Sequence, residues 1–364
     1  MGHTETRRPD VRPGAVIFLR FFIFVAVCVG LRYLLACLQY VEVSEQYPAF
    51  DVHARAYHST KEIHTAVRLD NALNPFYTWF DLSPAVEPAS MRLYGYGPVD
   101  DNMKNYKLRV FVLCNQHARE TVTGELCYHL VRLLQLQTRD DEFTTTLEEQ
   151  TLRGVAYWVV PVGNPWGRQM VEANLSQACL RKNANGVDLN RNYPSPHARP
   201  YPTDSDEEEA GPEPLSEYES RDVAAFAAYV DPHLVVNVHS GGADILLPYD
   251  GDDEAMVPYY SRLMSVAKHA RKGLCPECGV GQASLLYPPA DGTFVDYMVS
   301  QHGTPLAYTL EIFSRKGYAP DSMEGPECQL YFNPDAGDEL ARTLRTWMGI
   351  LLRITEKISV SIKS

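Results

Sequence analysis

The chain has 364 residues, of which 45% are hydrophobic and 22% charged, and this composition is typical of a globular protein. Against 46 Asp and Glu residues stand 33 Lys and Arg residues, which gives a formal net charge of −13. So acidic a balance argues against a protein that binds the phosphate backbone of nucleic acids. With 23 Gly and 25 Pro residues, the chain is also unlike collagenous or low-complexity proteins.

The N-terminus carries an apolar segment that predicts targeting to a membrane. Residues 15–38 are nearly all apolar, and the preceding residues 1–14 are rich in arginine, which predicts a short basic cytoplasmic tail. Two interpretations stay open. The segment is either a retained signal anchor, with Arg20 and Arg32 snorkelling, or a signal peptide that is cleaved. A buried core helix would explain the apolar run but not its arginine-rich flank.

The remaining sequence predicts a linker at 39–54, one large domain at 55–356 and a short C-terminal tail at 357–364. On both interpretations of the N-terminus, this domain lies in the lumen of the secretory pathway or outside the cell, tethered or secreted. Cys28 and Cys37 lie in the apolar segment, which leaves six of the eight cysteines in the large domain. An oxidising compartment allows these six thiols to form disulfide bonds.

Within the large domain, apolar runs and helical patterns alternate. Short runs rich in β-branched and aromatic residues predict buried strands at 108–113, 155–160, 234–238 and 307–313. Apolar residues at three- and four-residue spacing predict amphipathic helices at 121–136 and 339–354. This alternation predicts an α/β fold with a twisted open sheet, whose functional residues gather in the loops after the strand ends.

A strongly acidic segment interrupts this pattern. Residues 200–219 carry eight Asp and Glu residues and no Lys or Arg, so most of the net charge is local. A proline-containing acidic run of this kind predicts a solvated surface loop without a chemical role.

Two histidines and a glutamate form the most informative pattern in the chain. His117 and Glu120 lie directly after the 108–113 strand, three residues apart at the start of a helix, a spacing that lets both bind one Zn²⁺. His239 ends the 234–238 strand, and glycines follow it at positions 241 and 242, which allow another group to approach closely. A His₂Glu set leaves the fourth zinc position to water, as catalytic rather than structural zinc sites do.

Several motifs in this order resemble the zinc metallocarboxypeptidases, the family of pancreatic carboxypeptidase A. They are Tyr57-His58, His117-Ala118-Arg119-Glu120, Gly186-Val187-Asp188-Leu189-Asn190-Arg191-Asn192, His239-Ser240 and Thr309-Leu310-Glu311-Ile312-Phe313. The resemblance extends over residues 57–347, and the motifs at 187–192, 215–217 and 331–334 are most similar to a membrane-anchored eukaryotic group. It implies the metallocarboxypeptidase fold, a single domain with a mixed central β-sheet flanked by helices on both faces, here preceded by an N-terminal hydrophobic helix.

The resemblance also implies the residues of the catalytic centre. The implied ligands of one Zn²⁺ are His117, Glu120 and His239. Asp188 matches the residue that orients His117. Glu311 matches the general base, a carboxylate that takes a proton from water and passes it to the departing amine. Arg181 matches the arginine that stabilises the oxyanion at the scissile carbonyl.

A second set of residues matches the substrate-binding groups of the family. Asn190 and Arg191 match the pair that binds the C-terminal carboxylate of a peptide, a contact suited to the planar guanidinium group. Arg119 matches another arginine on the path of that carboxylate. Tyr287 matches the mobile tyrosine that covers the substrate, and Val295 occupies the floor of the pocket for the terminal side chain.

Two of these assignments have alternatives. Tyr287 lies one residue further from Asp296 than in the family, so Tyr297 and Tyr308 are fallback candidates. Val295 predicts an apolar pocket, but Asp244 is an alternative acid that would select basic terminal side chains. The preferred terminal side chain therefore stays open.

The activity implied by the resemblance is hydrolysis of the C-terminal peptide bond of peptides or proteins. The expected partners are such C-termini and, through the N-terminal helix, a membrane; nucleic acid is not among them. Two alternatives are a catalytically silent relative that only binds peptides, and a zinc amidohydrolase that acts on an acylated amino acid.

Overall fold

A computed structural model of the protein describes residues 50, 54–66, 77–81, 91–97, 105–135, 138, 140–195, 209–316 and 326–361. They lie in one compact unit that spans Pro48–Ser364. The predicted tail at 1–14, the apolar segment at 15–38 and most of the predicted linker lie outside the described residues. None of the helices in the described ranges combines the length and apolar character needed to cross a membrane.

The described strands form one mixed β-sheet. They are β1 (Tyr77–Asp81), β2 (Arg92–Tyr96), β3 (Leu108–Cys114), β4 (Val155–Val160), β5 (Leu234–His239), β6 (Gly242–Leu247), β7 (Gly279–Gln282) and β8 (Leu306–Phe313). Their order in the sheet is β1-β2-β4-β3-β5-β8-β6-β7. The central strands β4, β3, β5 and β8 are parallel, whereas β2 joins β4 and β6 joins β8 in antiparallel pairs. Because helices cover both faces of the parallel centre, its strands are nearly continuous apolar runs.

The helices pack on the two faces of this sheet. They are α1 (Thr60–Ala66), α2 (Thr121–Leu134), α3 (Asp141–Leu152), α4 (Pro165–Ala173), α5 (Tyr218–Val230), α6 (Tyr260–Arg271), α7 (Ala283–Leu286), α8 (Phe294–Ser300), α9 (Pro326–Phe332) and α10 (Asp338–Ser361). Successive strand residues point to opposite faces, so Val110 joins an apolar cluster with Leu126 of α2 and Leu351 of α10. Phe111 joins the other cluster, with Phe294 of α8. The predicted α/β fold with a mixed sheet is confirmed.

Six cysteines in the described part of the chain form three disulfide bonds, as predicted. The pairs are Cys114–Cys127, Cys179–Cys328 and Cys275–Cys278. The first joins β3 to α2, and the second joins the segment before residue 181 to α9. Three disulfides indicate that the domain resides in an oxidising compartment.

The prediction of a solvated acidic loop is wrong for two of its residues. Glu217 is 3% exposed and Glu219, in the first turn of α5, is 1% exposed. Asn183 Nδ2 donates to Glu217 Oε2 at 2.7 Å and to Glu219 Oε2 at 3.1 Å, and Asn185 Nδ2 also donates to Glu217 Oε2 at 2.7 Å. Both carboxylates are buried because they bind the amides of a loop that leads into the candidate site.

Candidate active site

His117 and Glu120 lie in the turn between β3 and α2. Asn115, just after β3, has a φ of 53°, in the left-handed region that asparagine adopts more readily than most residues. Its side-chain Nδ2 donates to the carbonyl oxygen of His117 at 2.8 Å and to that of Glu120 at 3.3 Å. This asparagine therefore fixes the turn that carries two of the predicted ligands.

His239 meets these two residues from the neighbouring strand. β5 is parallel to β3, so the carboxyl end of β5 reaches the same edge of the sheet. His117 Nδ1 lies 2.7 Å from Glu120 Oε1 and 3.1 Å from His239 Nδ1, and His239 Nδ1 lies 3.1 Å from Glu120 Oε2. All three side chains are buried. The structure thus gathers the three predicted ligands, with donor atoms within 4.8 Å of one another.

The orientation of these donor atoms fits a divalent cation. Two imidazole nitrogens and a carboxylate are a donor set that zinc takes in proteins. The two Nδ1 atoms face each other at 3.1 Å, where both cannot carry a proton, and a shared cation would satisfy both lone pairs. His117 Nε2 lies 3.1 Å from Asp188 Oδ1, which fixes the ring and leaves Nδ1 directed at the centre.

The pKa values of these groups reflect their mutual contacts. Burial raises the pKa of Glu120, but the facing imidazoles of His117 and His239 outweigh it and hold the pKa below its ordinary value. Burial lowers the pKa of His117, and the guanidinium of Arg181 lowers it further. Burial also lowers the pKa of His239, yet the Glu120 carboxylate outweighs this and raises it. Glu120 and His239 therefore shift each other's pKa values in opposite directions, as the two members of an ion pair do.

Arg181 and Asp188 support this centre from one side. Arg181 Nε donates to Asp188 Oδ2 at 2.7 Å, and Arg181 Nη1 lies 3.2 Å from His117 Nδ1. Asp188 is fully buried; burial raises its pKa, but Arg181 and His117 outweigh that effect and hold the pKa well below its ordinary value. The arginine thus places a positive charge beside the candidate ligands.

A second cluster of two histidines and a glutamate lies elsewhere in the domain and differs in charge. His58 Nδ1 is 2.8 Å from Glu125 Oε2, whereas His129 Nε2 is 4.0 Å from the same oxygen. The buried Arg168 donates from Nη2 to Glu125 Oε1 at 3.1 Å. Because a guanidinium already neutralises this carboxylate, the cluster is best described as an ion-pair network that ties His58 to α2.

Asn190 and Arg191 lie beside His239. Asn190 Nδ2 is 3.5 Å from His239 Nε2, and Asn190 Oδ1 accepts a hydrogen bond from the backbone of Phe294 at 3.0 Å. Arg191 Nη1 donates to the carbonyl oxygen of Asn190 at 3.0 Å. Val295, the next residue of α8, is 1% exposed. The predicted carboxylate-binding pair and pocket residue therefore lie on adjoining segments.

Arg119 is held between two segments joined by a disulfide. Its guanidinium lies 4.3 Å from the centre of the Phe332 ring, and its Nη1 lies 3.5 Å from the carbonyl oxygen of Cys179. Cys179 is bonded to Cys328 of α9, the helix that ends at Phe332. The side chain is thus packed rather than free in solvent.

Glu311 lies on β8, directly opposite His239 of β5 in the sheet register. Its Oε2 is buried and has no hydrogen-bond partner among the described residues. Burial raises the pKa of Glu311 to about 8, with His239 acting against the shift and the carboxylates of Glu120 and Asp244 adding to it. A carboxyl group with an unused oxygen beside three candidate ligands can exchange a proton with a bound molecule.

The hydroxyl of Tyr287 donates to Asp244 Oδ2 at 2.5 Å. Burial raises the pKa of Tyr287, and the nearby carboxylate of Glu311 raises it further. The fallback tyrosines are engaged elsewhere: Tyr308 donates to the carbonyl oxygen of Leu263 at 3.0 Å, and the Tyr297 hydroxyl lies 3.3 Å from His302 Nε2. Of the three tyrosines, Tyr287 is the one that lies near Glu311. Asp244, the alternative acid for basic side chains, accepts the hydrogen bond of the Tyr287 hydroxyl.

Sequence reasoning missed Asn333, which holds the same turn from the opposite side. Its Oδ1 accepts from the backbone of Val122 and from Thr121 Oγ1, both at 2.9 Å, and its Nδ2 donates to the carbonyl oxygen of Arg119 at 2.8 Å. Glu120 occupies the N-cap position of α2 but makes no capping hydrogen bond with its side chain. Asn333 supplies that cap instead, and a signal for it existed in the 331–334 motif.

Comparison with known proteins points to one family. The curated relative "Carboxypeptidase B2" of Rattus norvegicus is 23% identical over 290 residues, covering 71% of this chain and 67% of that protein. "Zinc carboxypeptidase A 1" of Anopheles gambiae is 26% identical over 278 residues, covering 70% of this chain and 60% of that protein.

Solved structures share the fold. Bovine thrombin-activatable fibrinolysis inhibitor, solved in complex with tick carboxypeptidase inhibitor, has a TM-score of 0.67 at 20% identity and covers 85% of this chain and 99% of its own. Carboxypeptidase A from Helicoverpa armigera has a TM-score of 0.68 at 18% identity and covers 92% of this chain and 82% of its own. The family profile described as "Zinc carboxypeptidase" matches residues 95–333, about two thirds of the chain. This chain belongs to the zinc carboxypeptidase family.

Proposed function

We propose that the protein is an active zinc-dependent carboxypeptidase that removes single residues from the C-termini of peptides or proteins. The observation that carries this proposal is the meeting of His117, Glu120 and His239 at one edge of the sheet, with Glu311 on the adjacent strand. Family membership supports the reaction class, and the geometry supplies groups for each part of the reaction.

His117, Glu120 and His239 would hold the Zn²⁺, with Asp188 fixing the ring of His117. When bound, the ion polarises the scissile carbonyl and makes a water molecule more acidic. Because the imidazole nitrogens of His117 and His239 would have to be unprotonated to hold the ion, affinity for zinc would rise with pH.

Glu311 acts as the general base in this proposal. Its buried Oε2 has no partner among the described residues, so it is free to accept a proton from water and to donate it to the departing amine. A cation held by the three adjacent ligands would stabilise the ionised form of Glu311 and lower its pKa from about 8, towards the range in which a base works at neutral pH.

Arg181 stabilises the negative charge that develops on the scissile carbonyl oxygen. Its guanidinium is already fixed by Asp188 beside the candidate ligands, so it needs little reorganisation during the reaction. Arg191 and Asn190 bind the terminal carboxylate, and Arg119 assists on its path. The terminal side chain enters the pocket at Val295, and Tyr287 covers the substrate.

The N-terminal segment is assigned a targeting role in this proposal. Residues 15–38 deliver the catalytic domain, at 55–356, to the lumen or the cell exterior and tether it there unless they are cleaved. The three disulfides support the compartment.

The test is hydrolysis of matched peptides by the purified domain. Free-acid peptides ending in Phe, Leu, Lys or Arg should be shortened from the C-terminus by one residue at a time, and the relative rates should reveal the preferred terminal side chain. The same peptides with amidated C-termini should resist cleavage, because they cannot form the charge-assisted contact with Arg191. Glu311→Gln should keep bound zinc and lose hydrolysis.

Three outcomes would contradict the proposal. Cleavage that is indifferent to amidation would indicate an endopeptidase, and hydrolysis restricted to acylated amino acids would indicate an amidohydrolase. Peptide binding without turnover by the zinc-loaded wild type would indicate a silent relative. Undiminished turnover by Glu311→Gln would contradict only the assignment of Glu311 as the general base.

A further inference from the structure

The hydroxyl of Tyr287 is fixed by a carboxylate on the neighbouring strand. Tyr287 Oη donates to Asp244 Oδ2 at 2.5 Å, and the other oxygen, Oδ1, accepts from the backbone of Gly279 at 2.8 Å. Asp244 lies on β6 directly opposite Glu311 of β8 in the antiparallel register. The tyrosine hydroxyl is therefore held at the edge of the site that contains the proposed base.

Two glycines leave room for this contact. A Cβ atom on Gly242 would lie 1.8 Å from Tyr287 Oη and 3.1 Å from Asp244 Oδ2. On Gly279 it would lie 2.2 Å from Asp244 Oδ1. Neither glycine has a positive φ, so the backbone conformation itself would allow another residue. The absence of a side chain at both positions is needed because the tyrosine hydroxyl and the carboxylate occupy that space.

The segment around Tyr287 is anchored independently of this contact. The backbone of Tyr287 donates to the carbonyl oxygen of Ala283 at 2.8 Å, which ends α7. The backbone of Ser284 donates to the carbonyl oxygen of Tyr249 at 3.2 Å. The Asp244 contact thus determines the position of the phenol ring and not that of the loop.

We propose that Asp244 is a positioning residue that holds the Tyr287 phenol at the edge of the candidate active site before substrate arrives. This inference rests on the proposed function, in which Tyr287 covers the bound peptide. A phenol that is already ordered loses less conformational freedom on binding, so the contact favours substrate binding more than the chemical step. Asp244 itself then needs no contact with the substrate, in contrast to the alternative that it selects basic side chains.

The kinetic prediction is a change in KM rather than in kcat. Asp244→Ala should raise KM about tenfold, the scale expected for loss of a hydrogen bond to a charged group, with kcat changed less than about threefold. Tyr287→Phe removes the same hydrogen bond from the other side. The double variant Asp244→Ala/Tyr287→Phe should therefore be no worse than the more impaired single variant.

A steric variant tests the same contact from the backbone. Gly242→Ala drives the phenol out of its place, so it should raise KM at least as much as Asp244→Ala. Its effect should shrink when combined with Tyr287→Phe, because the atom at 1.8 Å is gone. Gly281→Ala on β7 is the matched control, since its new Cβ would meet Leu286 at 3.1 Å and not the tyrosine. We expect wild-type KM for this control.

Chemical unfolding of the same four proteins of the Asp244/Tyr287 cycle gives a readout that does not need catalysis. Non-additive unfolding free energies confirm the contact, and additive ones overturn the proposal. If the two substitutions have non-additive effects on the unfolding free energy but additive effects on log KM, the contact exists and the positioning role is overturned. If the wild type hydrolyses no free-acid peptide, the proposed function fails, while the unfolding cycle still decides whether Asp244 holds Tyr287.

Discussion

Asn333 offers a sharp test of how the metal-binding turn is held. The side chain is 2% exposed and makes four hydrogen bonds, two of them to the backbone of Val122 and Arg119, which flank Glu120. The other two join Thr121 Oγ1 and the carbonyl oxygen of Gln329. Asn333→Ala removes the cap of α2 and leaves the backbone N–H of Val122 and the carbonyl oxygen of Arg119 without this partner. Thr121 Oγ1 keeps the contact from Gln329 Nε2 at 3.4 Å, and the carbonyl oxygen of Gln329 keeps the bond from the backbone of residue 333.

The size of the effect follows from these contacts. Loss of a helix cap costs about 1 kcal/mol, and each buried backbone group left unpaired costs about 1–3 kcal/mol. Water that enters the vacated space can hydrogen-bond to some of the unpaired groups and reduces this cost. We therefore expect the unfolding free energy to fall by about 3 kcal/mol. Mutation of a residue that orients metal ligands typically lowers metal affinity by about 10–100-fold. We expect a loss of zinc affinity in that range for Asn333→Ala.

The assay combines chemical denaturation of the metal-free protein with zinc titration against a competing chelator. Gln150→Ala is the matched control: Gln150 is also buried, donates to the carbonyl oxygen of Leu352 at 3.0 Å and lies away from the turn. It should lose comparable stability and keep wild-type zinc affinity. Equal zinc affinity for Asn333→Ala and the wild type would refute the idea that this asparagine positions the ligands.

Two further predictions concern charge and cross-linking. In metal-free protein the pKa of Glu311 is raised to about 8, so the neutral acid stabilises the fold fully below about pH 4.5 and this contribution is lost as the pH rises through 8. In chelator-treated protein, Glu311→Gln should remove up to about 5 kcal/mol of the change in unfolding free energy with pH. The same change with pH in both proteins would contradict this prediction. Replacing Cys179 and Cys328 by Ser should lower the unfolding free energy by about 2–5 kcal/mol, measured by denaturation. Unchanged stability would show that this disulfide does not constrain the unfolded chain.

The sequence was sufficient for the centre of the sheet and for the candidate ligands. The strands predicted from apolar runs end within one residue of those observed, because strands buried on both faces leave an unmistakable apolar pattern. His117 and His239 follow two such strands, and parallel neighbours bring their carboxyl ends together. The convergence of the ligands follows from the adjacency of β3 and β5, which the apolar runs alone did not predict and which the family resemblance implied through its fold.

Other features depended on contacts that no local pattern encodes. β6 and β7 lie at one edge of the sheet and begin with Gly242 and Gly279, whose role is to leave space for distant side chains. Glu217 resembles its solvated acidic neighbours in composition, and its burial depends on two asparagines about 30 residues away. Disulfide pairing and the cap by Asn333 likewise join segments far apart in the chain.

The most direct test of this account is the location of zinc in a crystal of the zinc-loaded domain, measured from anomalous scattering at the zinc absorption edge. We predict one strong peak per chain, bounded by His117 Nδ1, His239 Nδ1 and the carboxylate of Glu120. A peak at the cluster around Glu125 instead, or no peak at all in a protein that hydrolyses peptides, would contradict it.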